Sequence, residues 1–124
     1  MKKQISSIEA PRAPRLLSQA IDSNGMVYVS GQVHNNPDGT LVGDTVETKV
    51  EQIMKNISAI LKEAELDLND IVKVVIYVTD MAQMPKLNEV YPTYFTEPYP
   101  VREAVCVAAL PLGASIEISV IAAK

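Results

Sequence analysis

With one cysteine, one histidine and five glycines in 124 residues, the chain lacks the raw material of several function classes. Cys106 cannot form an internal disulfide, and together with His34 it supplies too few ligands for a zinc site of the usual kind, so a reducing compartment without structural metal is expected. None of the glycines is spaced as a phosphate-binding loop or a dinucleotide fingerprint, which leaves a nucleotide cofactor without support. Basic residues number 11 against 15 acidic ones, and no Lys/Arg run follows Lys2 and Lys3. Nucleic-acid binders usually present a basic face, so a phosphate-tracking surface is not expected. Gln4 to Arg15 has no apolar leader segment and no later apolar run reaches membrane-spanning length, so the expected location is the cytoplasm.

What is present is a chain whose residues are 48% hydrophobic, enough for one core and expected to form one domain over residues 1–124. Glu9 to Arg15 has the proline-rich composition of an ordered arm. Gly25 to Gln32 reads as a strand, and Asn36-Pro37-Asp38-Gly39 as turn chemistry leading to Leu41 and Val42. Val46, Val50, Ile53, Met54, Ile57, Ile60 and Leu61 recur at helical spacing behind a capping-box-like pair, Asp44 and Glu47. Ile71 to Val78 is a β-branched run apolar on both faces, as in an interior strand. A second helix runs from Met84 through Phe95, with Pro92 loosening its last turn. Arg102 to Ala109 and Ser115 to Ala122 read as strands joined by Leu110 to Ala114, and the pattern suggests an antiparallel hairpin. The order of elements gives an α+β fold, an α/β sandwich.

Right-handed crossovers would put both helices on one face of the sheet, leaving the other in need of a cover. Because Ile71 to Val78 is apolar on both sides, a second copy of the chain is the simplest cover.

Two charged residues interrupt apolar strands. Arg102 needs an anion, and a planar guanidinium suits a carboxylate; Glu117, between Ile116 and Ile118, must be paired, hydrogen-bonded or protonated. The hairpin register separates them within one chain: with Leu110 facing Ser115, Ala108 stands opposite Glu117, leaving Arg102 roughly 20 Å along the strand, too far for a direct ion pair. A site shared between chains could bring them together, with both groups on one inferred sheet face. Cys106 reads as a buried, inert thiol and His34 as a solvent-exposed loop residue, so neither is a favoured catalyst.

Several stretches together resemble the Rid family, also called YjgF: Ala10-Pro11 with Ser18-Gln19-Ala20, Val29-Ser30-Gly31-Gln32, Asn88-Glu89-Val90-Tyr91 with Tyr94-Phe95, and Pro100-Val101-Arg102 with Leu110-Pro111 and Ile116-Glu117-Ile118. The resemblance spans nearly the whole chain. It implies a chorismate-mutase-like fold, a mixed sheet with two helices on one face, a homotrimer, and ligand clefts between adjacent subunits. It further implies hydrolysis of reactive enamines and imines, such as 2-aminoacrylate and 2-iminobutanoate, to 2-keto acids and ammonia without metal or organic cofactor. On that likeness Arg102 would clamp the substrate carboxylate, and Glu117 would orient or deprotonate water, or shuttle a proton, at the imine carbon. The resemblance also implies that Ser30, Gly31, Asn88, Ala104 and Leu17 line the substrate pocket, Gly31 and Ala104 through their backbones.

The chain departs from the family pattern at four places: Leu17 replaces a tyrosine, Ala104 a cysteine or threonine, Glu103 a small residue, and Arg15-Leu16 a Gly-Pro pair. The first two remove polarity from the cleft. A non-catalytic regulatory protein that holds small carboxylates through Arg102 is therefore the alternative, while the ribonuclease or translation-inhibitor role of some relatives is disfavoured by the acidic charge.

Overall fold

The long helix forms where its apolar stripe predicts. In the computed structural model, which describes residues 1–124, α1 runs Val46–Lys62 and buries Val50, Ile53, Met54, Ile57, Ile60 and Leu61. Its capping box lies one residue on from the expected Asp44 and Glu47. The Thr45 hydroxyl accepts from the Thr48 amide, and the Thr48 hydroxyl accepts from the Thr45 amide, each at 3.1 Å. A threonine at the first non-helical position is closer to the exposed amides than the carboxylate before it.

Eight regular elements carry the fold: β1 (Lys2–Ile5), β2 (Ala20–Ser23), β3 (Met26–Val33), α1, β4 (Ile71–Val78), α2 (Met84–Val90), β5 (Val101–Cys106) and β6 (Ile116–Ala123). The six strands make one mixed sheet in the order β1-β2-β3-β6-β4-β5, with β4 and β5 parallel and the other neighbours antiparallel. Both helices pack on one face. Val27, Val74, Ile76, Ile116 and Ile118 are fully buried there against α1 and Leu87 of α2. As Pro92 predicts, α2 tightens into a 3₁₀ turn over Tyr91–Tyr94.

The expected hairpin of the last two strands does not exist. β6 lies in the middle of the sheet between β3 and β4, and β5 is displaced to the edge, where it pairs with β4 alone. The physical reason is burial. β6 alternates Ile116, Ile118, Val120 and Ala122 into the core and can be bonded along both sides, whereas β5 is exposed along most of its length. Leu110 to Ala114 is thus a connection between separated strands, with Leu112 held at a left-handed φ of 63°. β1 and β2 carry no legible pattern because each has four residues and lies at or near an edge.

The far face of the sheet is only partly apolar and has no covering element. Register places Tyr28, Ile121, Val75, Tyr77, Val101 and Val105 on it, with Tyr28 47% and Val101 66% exposed.

Candidate functional site

β3 and β6 slip out of register between Val29 and Gln32, and this bulge creates the cavity that holds Glu117. Val29 faces Val120 and Gln32 faces Ile118, so β3 carries one more residue than β6 across the gap, and Ser30 and Gly31 stand free of regular pairing. Glu117 leans into the space that a side chain at position 31 would occupy: a Cβ built there would stand 2.9 Å from the Glu117 Cδ. Glycine is needed at 31 to make room for the carboxylate.

Around this carboxylate lies a cavity of about 440 Å³ lined by Leu17, Ser30, Gly31 and Glu117, with Arg12 and Leu112 at its walls. Glu117 makes no salt bridge, and desolvation raises its pKa above 4.5, because removing water penalises the charged form. Gln19, itself buried, holds the N-terminal arm against the cavity. Its amide oxygen accepts from the Ser7 amide at 2.6 Å, and its amide nitrogen donates to the carbonyls of Ser7, Ala10 and Pro11. The Ser30 hydroxyl is committed to the Ser18 carbonyl at 2.6 Å, so it fixes the cavity wall.

The other expected residues form a second group. Arg102, exposed on β5, donates to the Asn88 Oδ1 at 2.7 Å and lies 5.0 Å from the centre of the Tyr91 ring. A neutral amide and an aromatic face orient the guanidinium while leaving its charge unneutralised. Ala104 is two residues along the same strand.

The two groups do not meet in one chain. Arg102 pairs with the buried Val74, so it points to the helix side. Glu117 and Val105 both pair with Tyr77, on the opposite face. The expectation that Arg102 and Glu117 share a face is therefore corrected: Arg102 is three positions from Val105, an odd step, and side chains alternate. The two residues are also separated by two strand spacings of ~4.8 Å and three residues of ~3.3 Å. Nor is Arg102 enclosed in an apolar strand, since β5 is the sheet edge.

Two further expectations are overturned. Cys106 is exposed on that edge, where burial had been expected. His34, expected in solvent, is 4% exposed, bonded to Val42 and Ser115. Turn composition after it concealed a ring facing α1. Arg12 and Leu112 were not singled out, because neither a lone arginine in a proline-rich arm nor a leucine in a turn carries a periodic signal.

A larger groove of about 650 Å³ lies outside α1, lined by residues including Gln52, Lys55 and Lys62. It contains none of Leu17, Ser30, Gly31, Asn88, Arg102, Ala104 and Glu117 and no shielded carboxylate, so size alone does not make it the reactive site.

The fold is thus a bulged-sheet α+β sandwich with a half-buried carboxylate over a glycine and, on the sheet edge, an arginine without an anionic partner. The family described as Endoribonuclease L-PSP matches residues 7–124. The chain belongs to that family, the Rid or YjgF proteins. It is 41% identical over 125 residues to the 2-iminobutanoate/2-iminopropanoate deaminase of Mus musculus, covering 100% of this chain and 93% of the relative. The crystal structure of yeast Mmf1 superposes with a TM-score of 0.96 at 38% identity, covering 100% of this chain and 99% of that one. The crystal structure of E. coli TdcF with bound serine superposes with a TM-score of 0.90 at 34% identity, covering 98% of each chain.

Proposed function

We propose that the chain is a cofactor-independent deaminase that hydrolyses 2-imino acids and their enamine tautomers to 2-keto acids and ammonia. The active cleft would lie between two subunits of a homotrimer in the cytoplasm. The observation that carries this reading is Glu117: an unpaired, half-buried carboxylate with a raised pKa, seated over Gly31 in a cavity. Support also comes from the uncovered sheet face and from the deaminase named among the relatives.

Arg102 of one subunit would clamp the substrate carboxylate through paired N–H donors, steadied by Asn88, while the Ala104 backbone lines that side. The neighbouring subunit would contribute Glu117, the Ser30-Gly31 backbone and Leu17. Water adds to the carbon of the protonated imine as Glu117 takes its proton, giving a neutral carbinolamine. Glu117 then returns that proton to nitrogen, the C–N bond breaks to release ammonia, and the hydroxyl proton passes to Glu117 as the carbonyl forms and on to the ammonia, which departs as ammonium. Desolvation suits the residue to both roles by bringing its pKa towards the working pH. An imine is already electrophilic, so positioning and proton transfer suffice without a covalent nucleophile.

The test generates 2-aminoacrylate with a dehydratase and measures semicarbazide capture with and without the protein. Wild type should divert the intermediate to keto acid, and Arg102→Ala should lose about 100-fold in kcat/KM, as expected when a charged anchor leaves the substrate mispositioned. Failure of wild type to compete, or an unchanged Arg102→Ala, overturns the proposal. Binding of a keto acid without turnover would instead give the regulatory reading, which the apolar Leu17 and Leu112 in the cavity favour. A stable monomer by light scattering would remove the shared cleft.

A further inference from the structure

Both nitrogens of the buried His34 ring are committed to the backbone. Nδ1 lies 2.9 Å from the Val42 carbonyl oxygen, and Nε2 accepts the Ser115 N–H at 3.2 Å. Since Nε2 accepts, the ring is the neutral tautomer with its proton on Nδ1. The backbone doubles the first link, the Val42 N–H donating to the His34 carbonyl at 2.8 Å. Ser115 is itself held from two more directions. Lys49 of α1 donates to its hydroxyl at 2.9 Å, while the Gln83 side chain and the Thr79 N–H donate to its carbonyl at 3.2 and 3.1 Å.

One imidazole thus ties together the end of β3, the loop to Val42 and the start of β6. Those three pieces build much of the Glu117 cavity. Gly31 to Val33 come from β3, Asn35 and Pro37 to Gly39 from the loop, and Glu117 lies two residues beyond Ser115 with its Cα opposite Val33.

We propose that His34 is a positioning residue that holds the Glu117 cavity in shape only as the neutral imidazole, and that its protonation releases Ser115 and slackens the cavity. The proposal rests on Glu117 being the proton-transfer group described above.

An imidazolium has two donors and no acceptor, so its Nε2–H would confront the Ser115 N–H where a hydrogen bond now stands. The surroundings resist the charge. Desolvation lowers the His34 pKa from 6.5, the Val42 carbonyl partly opposes that shift, and the Lys49 ammonium adds to it. Lys49 is the charged group whose field reaches the ring from α1. Ser115 just before β6 and Gln83 before α2 are uncharged, and Glu117 lies on the face of β6 away from α1. Because the folded pKa lies below the unfolded one, the stability His34 confers is full above about pH 6.5. It is lost as the pH falls towards the folded value.

The experiment compares wild type, His34→Gln and His34→Phe in two readouts across mildly acidic to neutral pH: kcat/KM for imine hydrolysis, and exchange protection of the Ser115 amide alongside the His34 ring titration by NMR. In wild type, Ser115 protection should fall at the His34 midpoint, and kcat/KM should fall about tenfold over the same step, the scale of one lost hydrogen bond. His34→Gln, which keeps an acceptor but does not titrate, should lack that step and stay near wild type at neutral pH. His34→Phe should be impaired throughout. Superimposable pH profiles of wild type and His34→Gln, or Ser115 protection unchanged across the ring titration, overturn the proposal. If neither wild type nor any variant hydrolyses imine at any pH, the deaminase reading fails separately and the Ser115 exchange still decides the role of His34.

Discussion

The Glu117 half and the Arg102 half of the proposed site are built on opposite physical terms. Glu117 sits in a central strand over a bulge, inside walls tied by the Gln19 amide, the Ser30 hydroxyl and the His34 ring. Arg102 stands on an edge strand, oriented by one side-chain hydrogen bond and one aromatic face. A group that must shift its pKa needs a rigid, water-poor surround; a group that delivers a permanent charge needs an open approach. On the proposed reading, that division is why neither half would complete the site alone.

Glu117→Gln should produce the largest change and separates chemistry from folding. Activity should drop about 10²- to 10⁴-fold, the range for a lost acid–base group. The sign for stability is opposite. A carboxyl whose folded pKa is raised contributes stability present below the unfolded value of 4.5 and lost as pH rises through the folded value, above which the ionised side chain is a liability. The thermal midpoint of Glu117→Gln at neutral pH should equal or exceed that of wild type, and a clear drop would show that the carboxylate is structural.

Gly31→Ala tests the rigidity of the same half. The new methyl group would take the place of the Glu117 carboxylate, and because that carboxylate ends a flexible chain, the cost should fall on its position and not on the fold. A loss of about 10- to 100-fold in kcat with a nearly unchanged unfolding midpoint is expected. Full activity would mean that the carboxylate need not lie over Gly31.

On the open half the effect should be smallest. Asn88→Ala removes the one side-chain hydrogen bond of Arg102, worth about 1 kcal/mol or fivefold, and should appear as a raised KM with the unfolding curve unmoved. An effect as large as that of Gly31→Ala would mean that both halves are equally constrained.

The comparison also separates what was legible in the chain from what was not. Val46 to Leu61 announced α1 through its spacing, and Ile71 to Val78 announced an interior strand, because burial against one layer or two imposes a period on the residues themselves. Arg102 and Glu117 were conspicuous as charges among apolar neighbours, and the glycine at 31 was legible only through family resemblance. The partner of each strand was not legible. Leu110 to Ala114 has the composition of a hairpin turn, yet β6 enters between β3 and β4, since a strand that alternates Ile116, Ile118 and Val120 is better satisfied with neighbours on both sides.

By itself, then, the order of residues determined α1, the interior strand β4, the fold class and the two charged groups, because these follow from local periodicity and the cost of an isolated charge. Tertiary structure alone decided that those groups face opposite sides of the sheet, that Gly31 yields its side-chain space to Glu117, and that His34 is interior. Each of these depends on which strands become neighbours, and that is settled by the burial of the whole sheet.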